Sequence, residues 1–97
     1  MATYVVLVNF TEQGIRNVKE TAKRADAVAE MAKKYGATTK EFLWTLGSHD
    51  VVAVYEAPND ESMAAFGMAV GALGNVRTQT MRAFSRQEMA AVLGKLG

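Results

Sequence analysis

The first strongly patterned segment, Thr3 to Phe10, is short, β-branched and apolar at nearly every position. That is the pattern of a strand buried on both faces, in the middle of its sheet. The period then changes. From a Thr11 cap onward, Ile15, Val18, Ala22, Ala25, Val28, Ala29, Ala32 and Tyr35 recur at spacings of three and four, which predicts one helix with a single apolar stripe. Its other face is charged: Glu20 with Arg24 and Glu30 with Lys34 stand at i,i+4 spacing, and Lys33 and Lys34 complement the helix C-terminus before Gly36 ends it. Alternation returns over Thr38 to Leu46, with Phe42, Trp44 and Leu46 on one face and Leu43 and Thr45 on the other. After a Gly47-Ser48-His49 turn, Val51 to Ala57 is again apolar on both faces, so the two strands form a hairpin.

Pro58 closes that hairpin, and Asn59, Asp60 and Glu61 supply a cap and first-turn negative charge. Met63, Phe66, Val70 and Leu73 form a second helical stripe that Gly74-Asn75 stops. Val76 to Phe84 carries polar residues on both faces, as an edge strand does. Ser85 followed by Glu88 is a capping box, so Met89, Val92, Leu93 and Leu96 belong to a short amphipathic C-terminal helix. The element order predicts an α+β fold of the ferredoxin-like βαββαβ kind: a four-stranded antiparallel sheet, first and third strands central, both helices on one face, plus the extra helix. The two strands that are apolar on both faces are the two this topology places in the middle.

That topology has a functional consequence. With both helices on one face, the other face of the central strands stays open to water, and only the C-terminal helix remains to cover it. Pairing with a second copy is therefore the expectation. Two sheets packed face to face form a closed or nearly closed barrel, in which a small ligand fits between a sheet and its cover. The chain's 97 residues suffice for one domain, 1–97, so one site or one interface carries the function.

Composition narrows the partners. A formal net charge of +1 gives no general attraction to nucleic acid or to an anionic membrane. No cysteine is present, which removes disulfides and thiolate chemistry and fits a reducing compartment. A lone histidine without cysteine falls short of a metal-ligand set, so no metal is expected. The GxGxxG, GxxxxGK and GxSxG motifs are absent, and the third strand lacks base-stacking aromatics; no cofactor and no nucleic acid are expected. Ser62 to Val76, the longest weakly polar run, is shorter than a membrane span, and its Gly67–Gly71 GxxxG reads as a helix pressed closely on a sheet. With no basic leader or cleavage site before the first strand, a cytoplasmic protein is the expectation.

Few residues offer chemistry. Histidine is the side chain best suited to proton transfer at neutral pH, and Asp50 beside His49 suits an orienting carboxylate, so the two are the candidate base and its partner. A histidine facing solvent in a turn is the plainer reading. Trp44 suits a flat ligand or an interface anchor. Asn9 interrupts an apolar central strand and Glu56 ends another, so each is a pocket position or a structural hydrogen-bonding group. Arg77 and Arg82 differ by an odd number of residues and face opposite sides of their strand.

Trp44-Thr45-Leu46-Gly47, His49-Asp50-Val51-Val52, Glu56-Ala57-Pro58 and Gly74-Asn75-Val76-Arg77-Thr78-Gln79-Thr80 ahead of Ala83-Phe84 resemble the GYD-domain family, over roughly Tyr4 to Glu88. The resemblance implies kinship with dimeric α/β-barrel proteins, among them cofactor-independent monooxygenases, isomerases and stress-related proteins. His49 stands where that family's namesake motif has Tyr. Three readings follow: a homo-oligomer binding a small molecule in a sheet-lined pocket near the subunit interface, rimmed by Asn9, Trp44, His49, Asp50 and Glu56; a cofactor-independent enzyme using His49 and Asp50; and a purely structural or assembly protein.

Overall fold

The computed structural model describes residues 1–97. Strand β1 (Ala2–Phe10) leads through α1 (Glu12–Arg16) and a 3-10 turn (Val18–Glu20) into α2 (Thr21–Lys34). The hairpin β2 (Thr38–Trp44) and β3 (Val51–Ala57) follows, then α3 (Asp60–Ala72), β4 (Val76–Ala83) and α4 (Arg86–Gly94). The sheet is antiparallel in the order β2-β3-β1-β4, so the two strands apolar on both faces do lie in the centre. This is the ferredoxin-like arrangement with an added C-terminal helix. β2 ends at Trp44, with a register shift between Thr39 and Glu41, and Leu46 is fully exposed in the turn instead of sharing a face with Phe42 and Trp44.

One face of the sheet is covered. Tyr4, Val6 and Val8 of β1 and Val51, Ala53, Tyr55 and Ala57 of β3 are buried against Met63, Phe66 and Val70 of α3. Tyr55 meets Phe66 edge-on, with ring centroids 5.2 Å apart. Tyr4 donates its phenol hydrogen to Asp60 Oδ1 at 2.5 Å, tying the start of α3 to β1; burial, then this carboxylate, pushes the phenol's pKa above its ordinary value. Helix α2 sits higher. Only Ala32 on it is buried, while Val28 and Met31 pack partly against the core.

The single helix expected from Thr11 to Tyr35 is broken, and the break has a local cause. Thr11 caps α1 through Gly14 N, while its own hydroxyl donates to Gly74 O at 2.6 Å and its N–H to Asn75 O at 3.1 Å. Gly14 lies directly on the Asn75 carbonyl, leaving no room for a side chain. Held to the α3–β4 turn in this way, α1 cannot continue along the line α2 must take over the sheet, and Asn17 ends it. Ile15 and Val18 consequently remain exposed. Charge pairing shifts as well: Glu20 pairs with Lys23 at 3.5 Å and Glu30 with Lys33 at 3.0 Å, both at i,i+3, and Arg24 turns to the carbonyls of Asn17 and Gly14.

The opposite face of the sheet is open. Val5 and Leu7 of β1 and Val52 and Val54 of β3 form its centre, flanked by Leu43 at 55% exposure and Met81 at 42%. Helix α4 does not cover it. Its capping box is complete, and the Ser85 N–H with Arg82 at 3.0 Å lowers the Glu88 carboxyl below the usual range. Yet apart from half-buried Glu88, every residue from Arg86 to Gly97 is exposed. The radius of gyration of 14.5 Å exceeds the ~12.5 Å of a compact chain of this length.

The Gly67–Gly71 pair is not a close-packing device either, since a Cβ at each would meet nothing within 4 Å. The glycines therefore separate into two kinds. Gly14→Ala is expected to destabilise by about 2 kcal/mol or more, because the Asn75 backbone must move. Gly71→Ala, in open space on a helix, is expected to stabilise by about 0.5–1 kcal/mol. Urea denaturation of both variants measures the difference.

Candidate functional site

Three of the five singled-out residues meet at one end of the sheet. Asn9, the last open-face residue of β1, holds the imidazole: its Oδ1 lies 2.8 Å from His49 Nδ1, and its Nδ2 donates to Ser48 O at 3.2 Å. The His49 carbonyl accepts from Thr45 Oγ1 at 2.5 Å. Asp50 does not orient the imidazole. Its Oδ2 accepts the Phe10 N–H at 2.8 Å, and its own N–H donates to Val8 O at 2.8 Å, so it joins the β2–β3 turn to the end of β1. The neighbour in space, Asn9, has taken the positioning role that the neighbour in sequence suggested for Asp50.

Trp44 and Glu56 lie elsewhere. Trp44 is on the helix-covered side, its indole N–H donating to Thr21 Oγ1 at 3.0 Å and its ring edge-on to Phe42 at 5.1 Å. Glu56 pairs with Lys40 at 3.7 Å and stands opposite Thr3, about 20 Å along β1 from Asn9. Arg77 and Arg82 do face opposite sides of β4, opposite Asn9 and Tyr4 respectively. No cluster of three or more His, Cys, Asp or Glu side chains is close enough to hold a metal ion.

The helix-covered face does hold a cavity, partly open to solvent. About 130 Å³ lies between α2, α3 and the sheet. Val6, Val8 and Phe10 form part of its floor, Ala25 and Val28 one wall, and Phe66, Gly67 and Val70 the other. At one end it is polar, with Thr21, Arg24 and Asn75. Arg24 Nη1 donates to Asn17 O at 2.7 Å and Nη2 to Gly14 O at 3.1 Å, with the guanidinium carbon 5.9 Å from the centre of the Phe10 ring. Trp44 borders this end through its bond to Thr21, whereas Asn9, His49, Asp50 and Glu56 do not line the cavity.

The sequence alone did not place Arg24 at a site, and in it Gly67 read as half of a close-packing GxxxG pair. Arg24 matched an ordinary helix-surface pair with Glu20, and only the break before α2 frees it. A signal for Gly67 was present: it stands one residue after Phe66 on the apolar stripe, where a larger side chain would face the sheet.

The family model of the GYD domain matches residues 4–93. The chain belongs to the GYD-domain family. A solved structure of like fold, TTHA0845 from Thermus thermophilus, superposes on this GYD domain with a TM-score of 0.57 at 23% identity, covering 88% of this chain and 95% of the other. Among curated proteins none matches. In the motif that names the family, this GYD domain has Gly47 at a positive φ of 112°, His49 in place of Tyr, and Asp50 as the link to β1. The two polar residues therefore differ in weight. Asp50→Ala removes the acceptor of a part-buried backbone N–H and is expected to cost about 1–2 kcal/mol, while His49→Ala stays within about 0.5 kcal/mol. Thermal melting of the two variants checks this.

Proposed function

We propose that this GYD domain binds a small, largely apolar molecule in the cleft between α2, α3 and the sheet, and that it works as a homodimer joined through the open sheet face. The cavity carries the first half of this reading. Its volume of about 130 Å³ is close to the ~150 Å³ known to admit one benzene-sized ring. Its lining is mostly hydrophobic with a few polar groups, Thr21, Arg24 and Asn75 at one end and Thr78 and Thr80 along β4, as small-molecule sites are. Gly67 faces it although a side chain there would meet nothing within 4 Å. An alanine would suit the helix better by about 1 kcal/mol.

An uncovered apolar centre supports the second half. The open face, four strands wide, has a footprint of about 450 Å², apolar at Val5, Leu7, Val52 and Val54 and polar toward Glu41, Glu56, Arg77 and Gln79, and is smaller than the ~800 Å² per partner of a standard interface. Helix α4 makes up the difference. Phe84, Met89, Ala90 and Leu93 line one shallow surface with no cover from their own subunit, and in the dimer that surface packs on the second copy. A cofactor-independent enzyme would place its base in an enclosed site; His49 lies outside the cavity, which favours binding over catalysis.

Two measurements test the reading. Indole or benzyl alcohol at a hundred times its dissociation constant is expected to stabilise the domain by about 2.7 kcal/mol, and Gly67→Leu to abolish the shift without lowering the melting temperature of the free protein. Ring-sized probes that leave the melting unchanged, or that act equally on Gly67→Leu, exclude the cavity. In sedimentation the native chain is expected to run as a dimer and Val54→Lys, with a charge at the centre of the open face, as a folded monomer. A native chain that sediments as a single subunit rules out the pairing.

A further inference from the structure

The polar end of the cavity has an asymmetry of charge. Arg24 is the one ionised residue among those lining the cleft, and no Asp or Glu accompanies it. No carboxylate lies within 4.0 Å of its guanidinium, because Glu20, four residues earlier, pairs with Lys23. The group is nevertheless held in place, by two backbone carbonyls on one side and by the Phe10 ring against which it lies. A guanidinium has five N–H donors in a rigid fork, and these bonds use two of them. What remains is a fixed, half-buried cation with free donors at the mouth of an apolar cleft.

From this we infer that the ligand is a small carboxylic acid, its ring or short hydrocarbon body in the cleft and its carboxylate on Arg24. The inference rests on the cavity being a binding site and adds the chemical class of what it takes. A carboxylate matches the fork in shape and supplies the charge the lining lacks. The neighbouring polar groups agree with an anion, since Thr21 Oγ1 accepts from Trp44 and keeps its own hydrogen to donate, and Asn75, whose Oδ1 accepts from Gln13 Nε2 at 2.9 Å, keeps its Nδ2 hydrogens. A neutral ligand would fill the cleft equally well but would leave the cation without a counter-charge. Since Arg24 is half-buried, an ion pair with it is screened less than one on the open surface.

Calorimetric titration of the full chain with benzoate and with benzyl alcohol, the same ring with and without charge, tests the idea. Benzoate is expected to bind about tenfold more tightly at low ionic strength, with the advantage shrinking as salt is added. Arg24→Met keeps the apolar stem and is expected to erase the preference while still binding benzyl alcohol; Arg24→Lys restores part of it. Equal affinity for the two probes, or a preference that survives in Arg24→Met, overturns the carboxylate and leaves the cavity reading standing. If neither probe binds the native chain, the cavity reading falls and takes this inference with it.

Discussion

A sheet with helices on one face only puts the two sides of its central strands into different environments, and the rest of this domain follows from that. In β1, Tyr4, Val6 and Val8 point into the core while Val5, Leu7 and Asn9 point outward; in β3, Val51, Ala53 and Tyr55 do the same opposite Val52 and Val54. Strand pairing fixes this division, because a slip of one residue would exchange the two sets. The inward set makes the core and the floor of the cleft. The outward set is apolar at Val5, Leu7, Val52 and Val54, and no helix of the same chain covers it.

How the helices sit on the inward set decides where space is left. Helix α3 is drawn down at its start by the Tyr4–Asp60 bond and along its length by Met63, Phe66 and Val70. Helix α2 is aimed by a different constraint, the attachment of α1 to the α3–β4 turn through Thr11, Gly14 and Asn75. Arg24 belongs to both, since it joins α2 to the carbonyls at the end of α1 and also lines the cleft. One attachment thus positions the corner, opens the gap between the helices and brings a cation to its mouth.

Much of the fold was legible because the signals are local. Continuous apolar runs marked β1 and β3, Gly47 and Gly74 marked turns at positive φ, and Ser85 with Glu88 marked the start of α4. The features that remained hidden depend on contacts across the chain. Nothing near Gly14 announces that Asn75, some sixty residues on, will press against it. Spacing alone pairs Arg24 with Glu20 and Asp50 with His49, yet each turns to backbone atoms of another element. Of the candidate site, the sequence located the polar turn, and proximity along the chain misread its internal bonding. The cleft was invisible because its most telling residue has no side chain.

The energetic weight of that cleft follows from its volume. An enclosed, dry cavity costs about 24 cal/mol for each Å³ it leaves unfilled, so about 3 kcal/mol is the upper bound for 130 Å³, and a cleft partly open to water lies below it. Even a fraction of that bound counts against the total stability of a domain this size, about 5–15 kcal/mol. Small side chains border it where larger ones would fill the gap: Ala25 and Ala27 stand on the α2 side, and Gly67 on the α3 side has open space where a side chain would be. On the proposed reading, a guest with a few apolar carbons recovers part of that deficit on entering, without the ordering cost of a mobile loop, since strands and helices already hold the walls. In the binding we propose, walls already in place receive the apolar body of the ligand, and the single cation at the mouth determines which end enters last.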